Sequence, residues 1–167
     1  ETSGPIPGEF SLLSIGACVV GDSTKTFYVQ LKPLNNNFNK KAMEVNKLSF
    51  EDLEINGEKP AEAMGRFEKW VLEVSENKRP VFVAFNATFD WMFSHWYFMK
   101  FLGRDPFGIS GLDIKAYFMG QTKSRWGETT KKHVKEKFSS NQKHTHNALD
   151  DALEQAEIFE KMNYKLE

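Results

Sequence analysis

The apolar positions divide the chain into strand-like segments followed by helical ones. Residues 11–20 form a nearly continuous apolar run, which reads as a buried strand. After the turn cluster Gly21-Asp22-Ser23, residues 26–31 alternate apolar and polar like a strand. Two strands joined by a short turn predict an antiparallel pair. Residues 33–39 read as loop, and 40–46 and 49–54 as short helical pieces. Pro60 then opens an amphipathic helix in which Ala63, Met64, Phe67, Trp70, Val71 and Val74 recur at helical spacing. Residues 80–85 are a short apolar strand of the kind buried on both faces. Residues 90–102 predict a helix that is apolar nearly all round and so packed on several sides. A short strand over 109–114 leads into a helix to Met119, and another helix is expected over 129–138. The last helix, 148–162, has the apolar stripe Leu149, Ala152, Leu153, Ala156 and Phe159. Strands first, then alternating helices and strands, predict a mixed-sheet α/β domain with helices on both sides. There is no repeat or linker, so residues 1–167 read as one domain.

Composition agrees with that reading. The chain is 40% hydrophobic and 14% aromatic with 15 Phe, which predicts a bulky, globular core. Net charge is −1, which excludes a molecule-wide field attracting a polyanion. A local basic strip nevertheless exists. Lys123, Arg125, Lys131, Lys132, Lys135, Lys137 and Lys143 are opposed there only by Glu128 and Glu136. Such a strip suits phosphates, or is an ordinary solvated face. The single cysteine, Cys18, rules out an intrachain disulfide and favours a reducing, cytoplasmic setting. Its apolar neighbours make it a core residue rather than a nucleophile. No apolar run has transmembrane length, so no membrane partner is expected. No signal peptide is visible, and the first residue is Glu1, not Met.

Three acidic positions carry candidate chemistry. They are Glu1 in Glu1-Thr2-Ser3-Gly4, Asp90 at the close of Asn86-Ala87-Thr88-Phe89-Asp90, and the pair Asp150-Asp151 shortly after His146. Each lies near the end of an expected element, where open α/β sheets bind ligands. Each has a plain structural reading too: Asp90 as a helix cap, and Asp150 and Asp151 as acids favoured in a first helical turn. Helical periodicity does not choose between Asp150 and Asp151, because both lie off the apolar stripe.

In this order the segments resemble the DEDDh 3′→5′ exonucleases, relatives of RNase T, oligoribonuclease and the bacterial DNA polymerase III proofreading subunit. Glu1-Thr2-Ser3-Gly4 is similar to the second half of that family's Asp-x-Glu-Thr-x-Gly motif. Asn86 to Asp90 resembles Asn-x-x-Phe-Asp. His146 to Asp151 fits His-x-Ala-x-x-Asp. Residues 42–70 resemble the family's stretch ahead of the second motif. The first motif's aspartate would lie two positions before Glu1, outside the given sequence, together with most of the first strand.

The resemblance implies a ribonuclease-H-like mixed sheet and hydrolysis of phosphodiesters at single-stranded nucleic-acid 3′ ends, RNA or DNA, releasing nucleoside 5′-monophosphates. It implies two Mg2+ ions, replaceable by Mn2+. Glu1 and Asp151 would bind the first and Asp90 the second, and the resemblance selects Asp151 over Asp150. His146 would be the general base, a role suited to an imidazole. Thr2, Ser3 and Asn86 would meet the terminal nucleotide. Trp126, in the basic stretch, is the better candidate for base stacking; Phe89 and Trp91 read as core. Several relatives are dimers, so a homodimer is expected by analogy alone. The competing readings are a non-catalytic nucleic-acid-binding or docking module with the same fold, and a two-metal phosphatase acting on small phosphoesters. A zinc site at His144 and His146 lacks companion ligands. The sequon at Asn86-Ala87-Thr88 reads as coincidence.

Overall fold

Ser14–Val19 (β1) and Asp22–Gln30 (β2) pair antiparallel, with Ser14 opposite Gln30 and Cys18 opposite Thr26. The computed structural model describes residues 1–138 and 147–163. β2 begins earlier than its alternation suggests, because a tight turn lets Asp22 pair with Val19; Gly21 closes it at φ 88°. Side chains alternate across the hairpin. Ile15, Ala17, Phe27, Val29 and Leu31 join one apolar core, while Gly16 and Cys18 face the last helix. Residues 1–3 run beside 11–14. Thr2 bridges Leu12, and the Glu1 carbonyl accepts from the Leu13 N–H at 2.8 Å.

Two short helices follow, Lys40–Asn46 (α1) and Phe50–Asn56 (α2), capped by the side chains of Asn39 and Ser49. Pro60–Ser75 (α3) starts on its proline and buries Ala63, Met64, Phe67 and Val71, as its periodicity predicts. Phe82–Ala84 (β3) and Gly111–Asp113 (β4) pair parallel across Ala87–Leu102 (α4). Ile114–Thr122 (α5), a 3₁₀ turn at Trp126–Glu128 and Lys131–Lys137 (α6) lead towards Ala148–Asn163 (α7). The α/β class and the helices on both sides of the β1–β2 hairpin match expectation. The expected single mixed sheet is resolved, among the described residues, into one antiparallel and one parallel pair.

Two cores hold these pieces. The larger joins the hairpin to α3 and α4 through Phe67, whose ring stacks on Phe27 at 5.0 Å and on Phe98 at 5.5 Å between centroids. The smaller joins α5, α6 and α7 through Ile114, Phe118, Val134, Phe138, Ile158, Phe159 and Met162. The α7 stripe is rotated from its prediction. Ile158, Phe159, Met162 and Glu154 are buried, while Leu149, Ala152, Leu153 and Ala156 are only partly so. The small residues lie on the side turned to the hairpin, and their size lets the helix approach it closely. No helix among the described residues is long and apolar enough to cross a membrane.

Candidate active site

Asp90 owes its place to a sharp turn between β3 and α4. Phe85 donates its N–H to Gln155 Oε1 of α7 at 2.7 Å. Asn86 then adopts φ 66° and ψ 46°, a left-handed conformation that Asn tolerates better than most residues. Ala87 follows with its N–H on Asp113 Oδ2 at 2.6 Å. The helix thus begins three residues before the expected start. Asp90 lies inside the first turn and is not the cap; the cap position belongs to Asn86. The Asn86 side chain makes no capping bond, and Asn86 is not part of the cavity lining described next.

A cavity of about 690 Å³ opens between the β1 edge and β3. Glu1, Thr2, Asp90 and Asp151 all line it, on three separate segments. Glu1 is fixed by the ladder beside Leu13 and Ser14, and its backbone nitrogen donates to the Ser14 carbonyl at 2.8 Å. Leu12 in turn receives support from α4, since its N–H donates to the buried Tyr97 hydroxyl at 2.7 Å. Asp151 sits in the first turn of α7, with Ala148, Ala152 and Gln155 beside it on the cavity wall. Phe89, Phe93 and Ile114 give the cavity apolar surface between its carboxylates.

Electrostatics single out Asp90. Its outer atoms are open to the cavity, but protein surrounds it on the other sides. That desolvation pushes its carboxyl up to about 6. The helix-start backbone pulls it down, while the Glu1 and Asp113 carboxylates push it up. A cation among these groups relieves the repulsion. Carboxylate oxygens are the ligands magnesium prefers, and magnesium keeps several waters, so Glu1, Asp90 and Asp151 suit it as a donor set. Among the described residues, no three His, Cys, Asp or Glu side chains stand close enough to form a ready-made ion cluster. Burial, then the Glu160 charge, raises the Cys18 thiol to about 11, which disfavours a nucleophilic thiolate, and its Sγ lies 3.5 Å from the Ala152 carbonyl.

Not every other expected residue reaches the cavity. Ser3 is fully buried; its hydroxyl donates to the Asn37 carbonyl and accepts from the Ser11 N–H, so it ties loops together. Thr2 lines the cavity, with its hydroxyl on the Gly4 carbonyl at 2.9 Å. Trp126 is 56% exposed on the 3₁₀ turn, outside the cavity lining, and the Lys115 ammonium sits 4.3 Å from its ring centroid. The basic strip is partly internal, since Lys131 and Lys135 both reach the buried Glu154. His146 lies outside the described residues, as do His144 and Lys143.

Two positions escaped the sequence reading. Asp113 accepts from Ala87 with one oxygen and, at 2.7 Å, from Ala116 with the other, capping α4 and α5 together. An Asp before a helical stretch was the available signal. Gly16 is the second. A Cβ there would lie 2.1–2.3 Å from the backbone of Ala148 and Leu149. A glycine inside a strand pattern signals such close approach.

Comparison with known proteins bears on family and fold. The chain is 45% identical over 160 residues to the 3'-5' DNA exonuclease Cap18 of Escherichia coli, a match that covers 95% of this chain and 86% of that protein. The fold is similar to that of cell-death related nuclease 4 (CRN-4), with a TM-score of 0.75 at 17% identity. That match covers 99% of this chain and 62% of the neighbour. At that identity the neighbour speaks for the fold alone. The exonuclease model of the RNase_T family matches residues 1–159, a span that includes Glu1, Asp90 and Asp151. The chain therefore belongs to the RNase_T exonuclease family.

Proposed function

We propose that this exonuclease removes nucleotides from the 3′ end of single-stranded DNA in a magnesium-dependent reaction that releases nucleoside 5′-monophosphates. The observation that carries the reading is the convergence of Glu1, Asp90 and Asp151 on one cavity. The likeness to a 3'-5' DNA exonuclease supports both the direction and the choice of DNA.

Glu1 and Asp151 would hold one ion and Asp90 a second. When bound, the metals polarise the phosphodiester and lower the pKa of the attacking water. The protein's own residues do the rest. The Glu1 ladder and the first turns of α4 and α7 fix the carboxylates. Phe89 and Phe93 supply apolar wall to the same cavity. His146 is assigned as the base that takes the proton from water, a role typically worth ~10²–10⁴-fold. Thr2 is assigned to the terminal nucleotide.

The test uses 5′-labelled single-stranded DNA and RNA oligonucleotides with Mg2+, Mn2+ or chelator. The expected result is a ladder shortening from the 3′ end, faster on DNA, abolished by chelator and by Asp151→Ala. Unchanged trimming in chelator or in Asp151→Ala defeats the metal-site assignment. Faster trimming of RNA overturns the substrate choice.

A further inference from the structure

α6 is seven residues long, too short to persist as a helix without outside support. Val134 and Phe138 give it an apolar foothold on α5 and α7. Its other attachment is ionic. Lys131 and Lys135 are four residues apart and so project from one face. Lys131 Nζ lies 2.6 Å from Glu154 Oε2, and Lys135 Nζ reaches Glu154 Oε1. The Glu154 side chain has 0% exposure, whereas the two lysines are 29% and 34% exposed. Burial alone would raise the Glu154 carboxyl, but the lysine hydrogen bonds outweigh it and hold it below the usual range. A charge fully inside the protein is thus kept ionised by two partners from one neighbouring helix.

Apolar residues at these positions would join the two helices at no loss of stability, because buried ion pairs rarely gain over well-packed hydrophobic replacements. What ions add is direction. Two hydrogen-bonded contacts on one carboxylate set both the height of α6 along α7 and the rotation of α7 about its axis, where an apolar seam tolerates sliding. Glu154 stands three residues after Asp151, nearly one helical turn away. Rotating α7 at Glu154 therefore moves Asp151 along the cavity wall. α7 is registered independently at Gln155, which accepts from the Phe85 N–H, and at its start against Gly16.

We infer that Glu154, clamped by Lys131 and Lys135, is a positioning residue for Asp151, setting its place in the cavity. The inference rests on the exonuclease reading of that cavity. The experiment compares the wild-type chain with the triple variant Glu154→Leu/Lys131→Met/Lys135→Met, which removes the ions and keeps the volume. Glu154→Gln, with both lysines retained, serves as a second variant. Melting temperature, kcat, KM for a single-stranded oligonucleotide, and the Mn2+ concentration for half-maximal rate are measured on each. The triple variant is expected to melt at or above the wild-type temperature, with kcat lower by about 10–100-fold and KM nearly unchanged. More Mn2+ should be needed for half-maximal rate. Glu154→Gln should fall between the two in kcat. If the triple variant folds and keeps wild-type kcat and Mn2+ dependence, the clamp is merely structural and the inference is overturned. If the triple variant does not fold, Glu154→Gln decides: wild-type kcat and Mn2+ dependence in it overturn the inference. A wild-type chain that trims nothing defeats the exonuclease reading itself, and the inference with it.

Discussion

Adding one methyl group at Gly16 tests how closely α7 must approach the hairpin. A Cβ there would sit 2.1 Å from the Ala148 carbonyl carbon and 2.2 Å from the Leu149 nitrogen. Both are backbone atoms, so no side chain can swing aside. Ordinary contact begins near 3.4 Å, so the start of α7 must withdraw by about 1.3 Å. Overpacking of this kind costs about 1–3 kcal/mol. For a chain of this size that lowers Tm by roughly 3–10 °C. The larger effect falls on activity, because the first turn of α7 carries Asp151. A misplacement near 1 Å can cost on the order of 10²-fold in rate. Gly16→Ala is therefore expected to lose more in kcat than in stability, as read by thermal melts and oligonucleotide trimming. Gly65→Ala is the control, since its Cβ would meet nothing within 4 Å. In mid-helix it should gain about 0.5–1 kcal/mol and leave activity unchanged. If Gly16→Ala melts and trims like wild type, the close packing assigned to α7 is wrong.

Asp113→Ala removes the acceptor of two helix starts and should cost about 1–3 kcal/mol, with a fall in kcat because the Asn86 turn that sets Asp90 loosens. Denaturant melts and single-turnover trimming read the two effects separately; unchanged values in both would exclude the shared cap. Tyr97→Phe leaves the Leu12 N–H buried without its acceptor and should cost about 1–3 kcal/mol by chemical denaturation. Asp90 predicts a pH dependence in chelator. Its folded carboxyl is raised to about 6 against an unfolded value near 3.8, so the folded state binds the extra proton. Its contribution is full below about pH 4 and is lost as pH rises through about 6. Melts from pH 4 to 7 should show that decline for the wild type and a smaller one for Asp90→Asn; identical slopes would count against the shift.

The helices were legible where one face decides their burial. Pro60, Ala63, Met64, Phe67 and Val71 mark α3 in the sequence as they do in the fold. The start of α4 was not legible, because it depends on Asp113, distant in sequence, holding the Ala87 N–H. The stripe of α7 was misplaced for a related reason. Hydrophobicity favoured Leu149 and Leu153, whereas the hairpin demanded small side chains opposite Gly16, and two lysines made Glu154 fit to bury. Of the candidate site, Glu1, Thr2, Asp90 and Asp151 were nameable from motif order and do share a cavity. Ser3 and Trp126 share those motifs and that basic stretch, but hydrogen bonding buries one and the 3₁₀ turn carries the other away. Spacing along a chain does not report such partners.

The division of the interior into two cores has a thermodynamic consequence. Asp90 belongs to α4, which packs into the aromatic core with the hairpin, whereas Asp151 belongs to α7, which anchors the other. Two such bodies can loosen as separate cooperative units. Glu1 lies beside the hairpin, so the ion proposed for Glu1 and Asp151 would act as a rivet between the two bodies, linking catalytic occupancy to mechanical integrity. Each tenfold rise in free metal above its dissociation constant then adds about 1.4 kcal/mol to the stability of the joined state. Metal starvation would thus open the molecule along its own active cleft.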